Sequence, residues 1–385
     1  MEIKSLSLYS PFALALIFIV KLITLKFLIS LYGISNSSDI FVIVGLMQLL
    51  AIFQFGKFAK AKTAFLLDEI TKKELQLIFS MFSILILIIF ISSFVAYSYF
   101  IKSEIHILYA FLYGFFLVTS SFYLLKSESL GRNLFGYLTI LFLNLTLLFS
   151  VLIGAIQPYI PIITLLGINL FMISKLIEIK KIDISISSKI KGGNFFKIES
   201  ISILLGSTEL FILSFISSPQ EILIYYFLTR IIYSPILFYG NISRFLWSKG
   251  LNYIGNKSLS NPIYDNFFHS SVVLFALFLC YLFIDELIYF LNPELFFDNL
   301  LLLYLIFSYS LIQLINRFYK NKYLGEALHE KQGNFFFIAG SVYLILLIFF
   351  LFNFPSIEVF LILKNIYYLS LLTYNVFFKF IWKAE

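Results

Sequence analysis

The sequence predicts an all-α integral membrane protein of twelve transmembrane helices, and three observations carry that prediction. Of 385 residues, 61% are hydrophobic and only 13% charged, whereas soluble domains run at about 45–50% apolar and about 25% charged. The apolar residues come in runs of roughly 20, the length a helix needs to cross about 30 Å of hydrocarbon. The basic residues, finally, fall on alternate loops, as the orientation of spanning helices demands. A soluble globular enzyme is excluded.

The runs lie at about 8–31, 40–58, 75–100, 105–125, 134–154, 160–178, 196–217, 221–244, 266–290, 298–317, 334–353 and 357–379. The first follows Lys4 and is too long for the core of a signal peptide, so it reads as a membrane span. The second and eighth carry Gln48, Gln54, Arg230 and Asn241, polar enough to face water inside a bundle. With the N-terminus placed in the cytoplasm, 23 of the 28 Lys and Arg lie on the cytoplasmic side and only Lys102 on the other. The remaining four, Lys21, Lys26, Arg230 and Lys364, fall within spans. One missed helix would invert every later loop, so this asymmetry supports twelve spans with both termini cytoplasmic. The net charge of +7 is then explained by loops that lie against anionic lipid heads, and no nucleic-acid partner is expected.

The single cysteine, Cys280, excludes an intramolecular disulfide, and His106, His269 and His329 are too scattered for a metal site. No cofactor is expected. The outward connections, near Gly33–Asp39, Lys102–Glu104, Gln157–Pro161, Ser217–Glu221, Leu291–Phe297 and Asn353–Pro355, are only a few residues long, so none can hold a catalytic domain. No Walker A, Gly-rich nucleotide loop or nucleophile elbow occurs. The adjacent pair Asp285-Glu286 falls near the outer end of the ninth span, where solvation accounts for it. The pattern is that of a transporter and not of an enzyme.

Equal helix counts divide the chain into a six-helix lobe over residues 1–180, a basic cytoplasmic linker over 181–195 and a second six-helix lobe over 196–385. Equal orientation of the two sets is what parallel repeats require. The turn Leu125–Asn133 has a loose echo in Leu324–Asn334.

A charge at helix mid-depth costs at least about 2.5–3.5 kcal/mol, so each needs a partner, a route to the interface or a function. Lys21 lies deep in the first span. Lys26, about 140° away around the helix, is near enough to the outer end at Leu31 to snorkel. Arg230 sits near the middle of the eighth span with Tyr226, Tyr233 and Ser234 at helical spacing, beside the backbone break at Pro235. On the seventh span Glu199, Ser202, Gly206 and Glu209 make one continuous face, which lines either a cavity or a helix contact. Lys364 and Asn365 lie two turns from the outer end of the last span, where snorkelling accounts for them, and His106 and His269 fall at span ends.

Several segments in order resemble the polysaccharide flippase (Wzx-type) branch of the multidrug/oligosaccharidyl-lipid/polysaccharide exporter superfamily. They are Tyr32-Gly33 with Ser37-Ser38-Asp39-Ile40-Phe41, Gln54-Phe55-Gly56-Lys57 with Lys60, the turn Ser127–Arg132, and Ile222–Arg244 with its polar exit loop. The first turn departs from the family, with Asn36-Ser37-Ser38 where a longer Gly/Pro-bearing segment is common. The resemblance implies two lobes around a central cavity lined by the first, second, seventh and eighth helices and exposed alternately to each side. The cargo it implies is a lipid-linked oligosaccharide, a repeat unit of O-antigen type on undecaprenyl pyrophosphate, moved to the outer leaflet of a bacterial inner membrane. Membrane lipids, a polysaccharide polymerase and a chain-length regulator are the other partners it implies. On this reading Lys21 and Arg230, helped by Lys26, hold the pyrophosphate, since a divalent anion in low dielectric needs fixed cationic donors. Gln48, Gln54, Tyr226 and Ser234 meet sugar hydroxyls. Glu209 pairs with Arg230 in the empty state, and Glu199 shares its face. The alternatives are a small-molecule antiporter of the same superfamily, a polysaccharide polymerase and a membrane glycosyltransferase.

Overall fold

The computed structural model describes residues 3–49, 71–100, 104–129, 133–177, 201, 204–206, 208–232, 271, 274–275, 277–279, 281–291, 300–325 and 329–382. They form helices α1 (Ile3–Leu49), α2 (Lys72–Phe100), α3 (Ile105–Ser129), α4 (Asn133–Gly154), α5 (Ile160–Leu176), α6 (Leu204–Leu213), α7 (219–232), α8 (Ile284–Leu291), α9 (Leu300–Gly325), α10 (His329–Asn353) and α11 (Ile357–Trp382). Helical residues lie at each of the twelve expected spans, and no strand occurs among the described residues. Among the described residues, six helices are long and apolar enough to cross a membrane by length and composition, Ala15–Gln48 and Ile357–Phe377 being the first and last. The fold is all-α and membrane-embedded. Large apolar side chains stay exposed along whole faces, as with Phe135, Leu138, Phe142 and Phe149 on α4, because the surrounding solvent is hydrocarbon.

Two compact units make up the chain: Met1–Gly192 with Gly206–Ser214, and Gly193–Leu205 with Phe215–Glu385. In the N-terminal unit, α1 departs from expectation. A loop was expected over Gly33–Asp39, yet the backbone from Ile34 to Asp39 is already helical and only Gly33 leaves the helix, at φ 79 and ψ 173. That region of backbone space is open essentially to glycine alone. Two of the polar residues there turn inward: Ser37 and Ser38 are buried, and Ser37 Oγ donates to the Leu28 carbonyl at 3.3 Å.

Contact registers show that α1 doubles back at Gly33. Asp39 approaches His106 and Met47 approaches Gly114, so the second arm runs parallel to α3. Leu31 meets Gly154 at the end of α4 while Gly136, at its start, meets Ser127 of α3, so the first arm runs with α4 and against α3. A Cβ on Gly114 would lie 2.7 Å from Met47 Cβ, and the bare glycine is what lets the second arm close on α3. Phe90 of α2 stacks on Phe115 of α3 at 3.8 Å, and α5 follows α3 in parallel, with Asn169 Nδ2 donating to the Leu112 carbonyl at 2.9 Å. The central α3 is buried nearly all round, with Tyr109, Phe115, Phe116 and Phe122 almost inaccessible.

Local sequence sets the helix ends. Thr71 and Glu74 form a reciprocal capping box at the start of α2, and Ser218 and Glu221 form another at the start of α7. Asp285 and Glu286 are exposed in the first turn of α8, where the helix dipole favours them. Lys126, counted as a loop charge by its position, is instead buried: its Nζ donates to the carbonyls of Lys175 at 2.9 Å and Leu176 at 3.4 Å. Those carbonyls end α5 and carry its negative dipole end. Lys126→Met should therefore cost the unit about 2 kcal/mol, the worth of a charged hydrogen bond. Thermal unfolding in detergent checks this, and an unchanged midpoint would contradict the capping role.

In the C-terminal unit α9 and α11 run in parallel. Asn365 Nδ2 donates to the Leu305 carbonyl at 2.9 Å, Asn316 Nδ2 to the Tyr368 carbonyl at 2.8 Å, and Asn375 Nδ2 to Asn316 Oδ1 at 3.0 Å. Helix α10 packs antiparallel to α11, with Phe335 stacked on Tyr374 at 3.6 Å and Tyr343 on Tyr367 at 4.8 Å.

Candidate functional site

The expected site residues divide between the two units. In the N-terminal unit, Ala13, Ile17, Val20, Thr24 and Leu28 form the packed stripe of α1's first arm. Lys21 is half-buried at the edge of that stripe, while Lys26 lies on the opposite side, with exposed Ile19 and Ser30. The structure thus keeps the two ammonium groups on different faces. Gln48 is half-buried near the end of the second arm, and Gln54 lies outside the described residues. On α6, Gly206 is exposed and Glu209 half-buried, both within the segment that belongs to the N-terminal unit, while Glu199 and Ser202 lie outside the described residues.

In the C-terminal unit, α7 is buried from Ile222 to Leu228 and again at Ile231 and Ile232, and Arg230 lies half-buried between them. Its guanidinium lies 4.9 Å over the ring of Tyr226, the residue four positions earlier on the same helix face. Such a cation–π contact uses the guanidinium's charge and does not consume its N–H donors. Ser234 lies outside the described residues, as do Tyr233, Pro235, Asn241 and His269. His106, buried at the start of α3, has Nδ1 3.3 Å from Glu104 Oε2 and Nε2 4.0 Å from Asp39 Oδ2.

Lys364 does not snorkel. It is 3% exposed, and its Nζ donates to Tyr225 Oη at 3.0 Å and lies 4.1 Å above the ring of Tyr309. The rings of Tyr225 and Phe360 follow at 5.6 and 5.8 Å. Its position two turns from the outer end of the last span suggested a short path to the membrane surface. That path is closed by residues 55 and 139 positions earlier in the chain, Tyr309 and Tyr225. The signal available in the sequence was the charge itself, since any ionisable residue within a span is a site candidate by default. Along the same seam Ser310 Oγ, Gln313 Oε1 and Asn365 Oδ1 are buried and make no hydrogen bond among the described residues.

No protein-family model matches the chain, and no curated protein matches it in sequence. In three dimensions it is similar to a crystal structure of MATE (multidrug and toxic compound extrusion) in complex with MaD3S, with a TM-score of 0.56 and 14% identity, over 98% of this chain and 97% of that one. The chain therefore has the fold of that transporter along nearly its whole length.

Proposed function

We propose that the chain is a membrane transporter: a flippase that carries an undecaprenyl-pyrophosphate-linked oligosaccharide from the cytoplasmic to the outer leaflet of a bacterial plasma membrane by alternating access. The fold likeness supports a transporter, and the sign of the embedded charge carries the choice of cargo. Lys21 and Lys26 lie well inside α1 and Arg230 lies beyond the buried stretch Ile222–Leu228 of α7, whereas carboxylates such as Glu74, Glu221, Asp285 and Glu358 sit in first turns. Embedded cations suit an anionic headgroup, since a pyrophosphate leaving water needs charged donors to replace its hydration. In this account Lys21 and Arg230, helped by Lys26, contact the pyrophosphate during the cycle. Gln48, Gln54, Tyr226 and Ser234 contact the sugars.

A small-molecule antiporter is the second reading, and one observation favours it. Glu209 falls in the segment that belongs to the N-terminal unit, which gives that unit a mid-helix carboxylate. Proteoliposomes containing a fluorescent undecaprenyl-pyrophosphate oligosaccharide separate the two. A flippase brings inner-leaflet label within reach of a membrane-impermeant reductant added outside. If only outer-leaflet label reacts, as in protein-free vesicles, while Glu209→Gln abolishes cation-driven export of a small dye, the antiporter reading takes its place.

A further inference from the structure

Lys364 is an embedded cation that the transport reading does not use. It lies seven residues into α11, about 10 Å along the axis, at a depth where an ammonium is costly to hold. Its surroundings are those of a cation receptor. Three helices, α7, α9 and α11, each present an aromatic ring within 6 Å of Nζ, and a hydroxyl accepts its hydrogen bond. Ring faces attract cations through their quadrupole, more strongly once water is excluded. The walls are themselves braced: Phe360 meets Tyr225 edge-on at 5.9 Å, and Tyr368 stacks behind Tyr309 at 6.1 Å.

We infer that Tyr225, Tyr309 and Phe360 form a primary-alkylammonium box whose resident ligand is the chain's own Lys364, a tethered cation that holds α7 to α9 and α11 within the C-terminal unit. The box discriminates by charge and by the N–H···O contact to Tyr225 Oη. It therefore takes an ammonium in preference to a neutral group of the same shape.

Truncating the tether and supplying the ligand in solution tests this. The purified wild type, Lys364→Ala and Lys364→Met are melted in detergent with n-propylammonium chloride, n-propanol or sodium chloride at equal concentration. Lys364→Ala is expected to lose about 5 °C and to regain most of it with n-propylammonium alone. Lys364→Met, which fills the box with a neutral chain, should lose stability without regaining it. The inference is overturned if Lys364→Met melts with the wild type, which would show that the charge holds nothing. It is equally overturned if Lys364→Ala responds alike to propanol and propylammonium. Should Lys364→Ala fail to fold, the methionine variant decides alone, destabilised or not. None of these outcomes depends on what the protein transports.

Discussion

Arg230→Ala and Lys21→Ala are each expected to lower delivery of surface glycan by about two orders of magnitude, with the protein still inserting at wild-type levels. The size follows from the cargo's charge. Removing a charged donor from a desolvated anion costs about 2–5 kcal/mol, and each 1.4 kcal/mol is a factor of ten. Arg230 should tolerate lysine poorly. The ammonium keeps the charge but loses the planar fork and the stack at 4.9 Å over Tyr226. Lys21→Arg keeps both charge and reach at a half-buried position, so it should retain more activity than Lys21→Ala. Complementation of a deletion strain, scored for surface glycan and for membrane-inserted protein, checks all four variants. Full activity of both alanine variants would contradict a role for these cations in the cargo's path.

Gly33→Val should produce the largest loss of stability among single substitutions outside the core. At φ 79 and ψ 173 a side chain with a Cβ is strained whatever the space around it, by about 1–3 kcal/mol, and a β-branched residue stands at the upper end. No atom lies within 4 Å of where that Cβ would sit, so the penalty is conformational and not a clash. Gly33→Ala should then also destabilise, by less. The consequence reaches further than the bend, because a straight Ala15–Gln48 helix would be about 51 Å long, well beyond one membrane thickness. Thermal unfolding of the two variants measures the effect, and wild-type midpoints for both would contradict the strained bend.

What the sequence made legible was whatever depends on composition along the helix axis. Span positions followed from apolar length. The stack of Arg230 on Tyr226 needed only helical periodicity. What stayed hidden depends on residues far apart in the chain. Asn36-Ser37-Ser38 has turn-like composition, but Ser37 finds the Leu28 carbonyl across a hairpin that only the folded chain creates. Lys126 is a loop charge until α5 ends against it, and Lys364 is near a helix end until Tyr225 and Tyr309 close over it. Long basic side chains are the hardest to place, since a flexible stem reaches water, a carbonyl or an aromatic face about equally well.

Movement of a lipid-linked oligosaccharide between leaflets is read from the leaflet position of that lipid. The gene is deleted in its native host, and repeat units are labelled on intact spheroplasts with a membrane-impermeant reagent, beside total lipid extraction. The account predicts complete repeat units accumulating in the extract yet inaccessible from outside, with access restored by the wild-type chain. Normal outer-leaflet labelling in the deletion strain would contradict it.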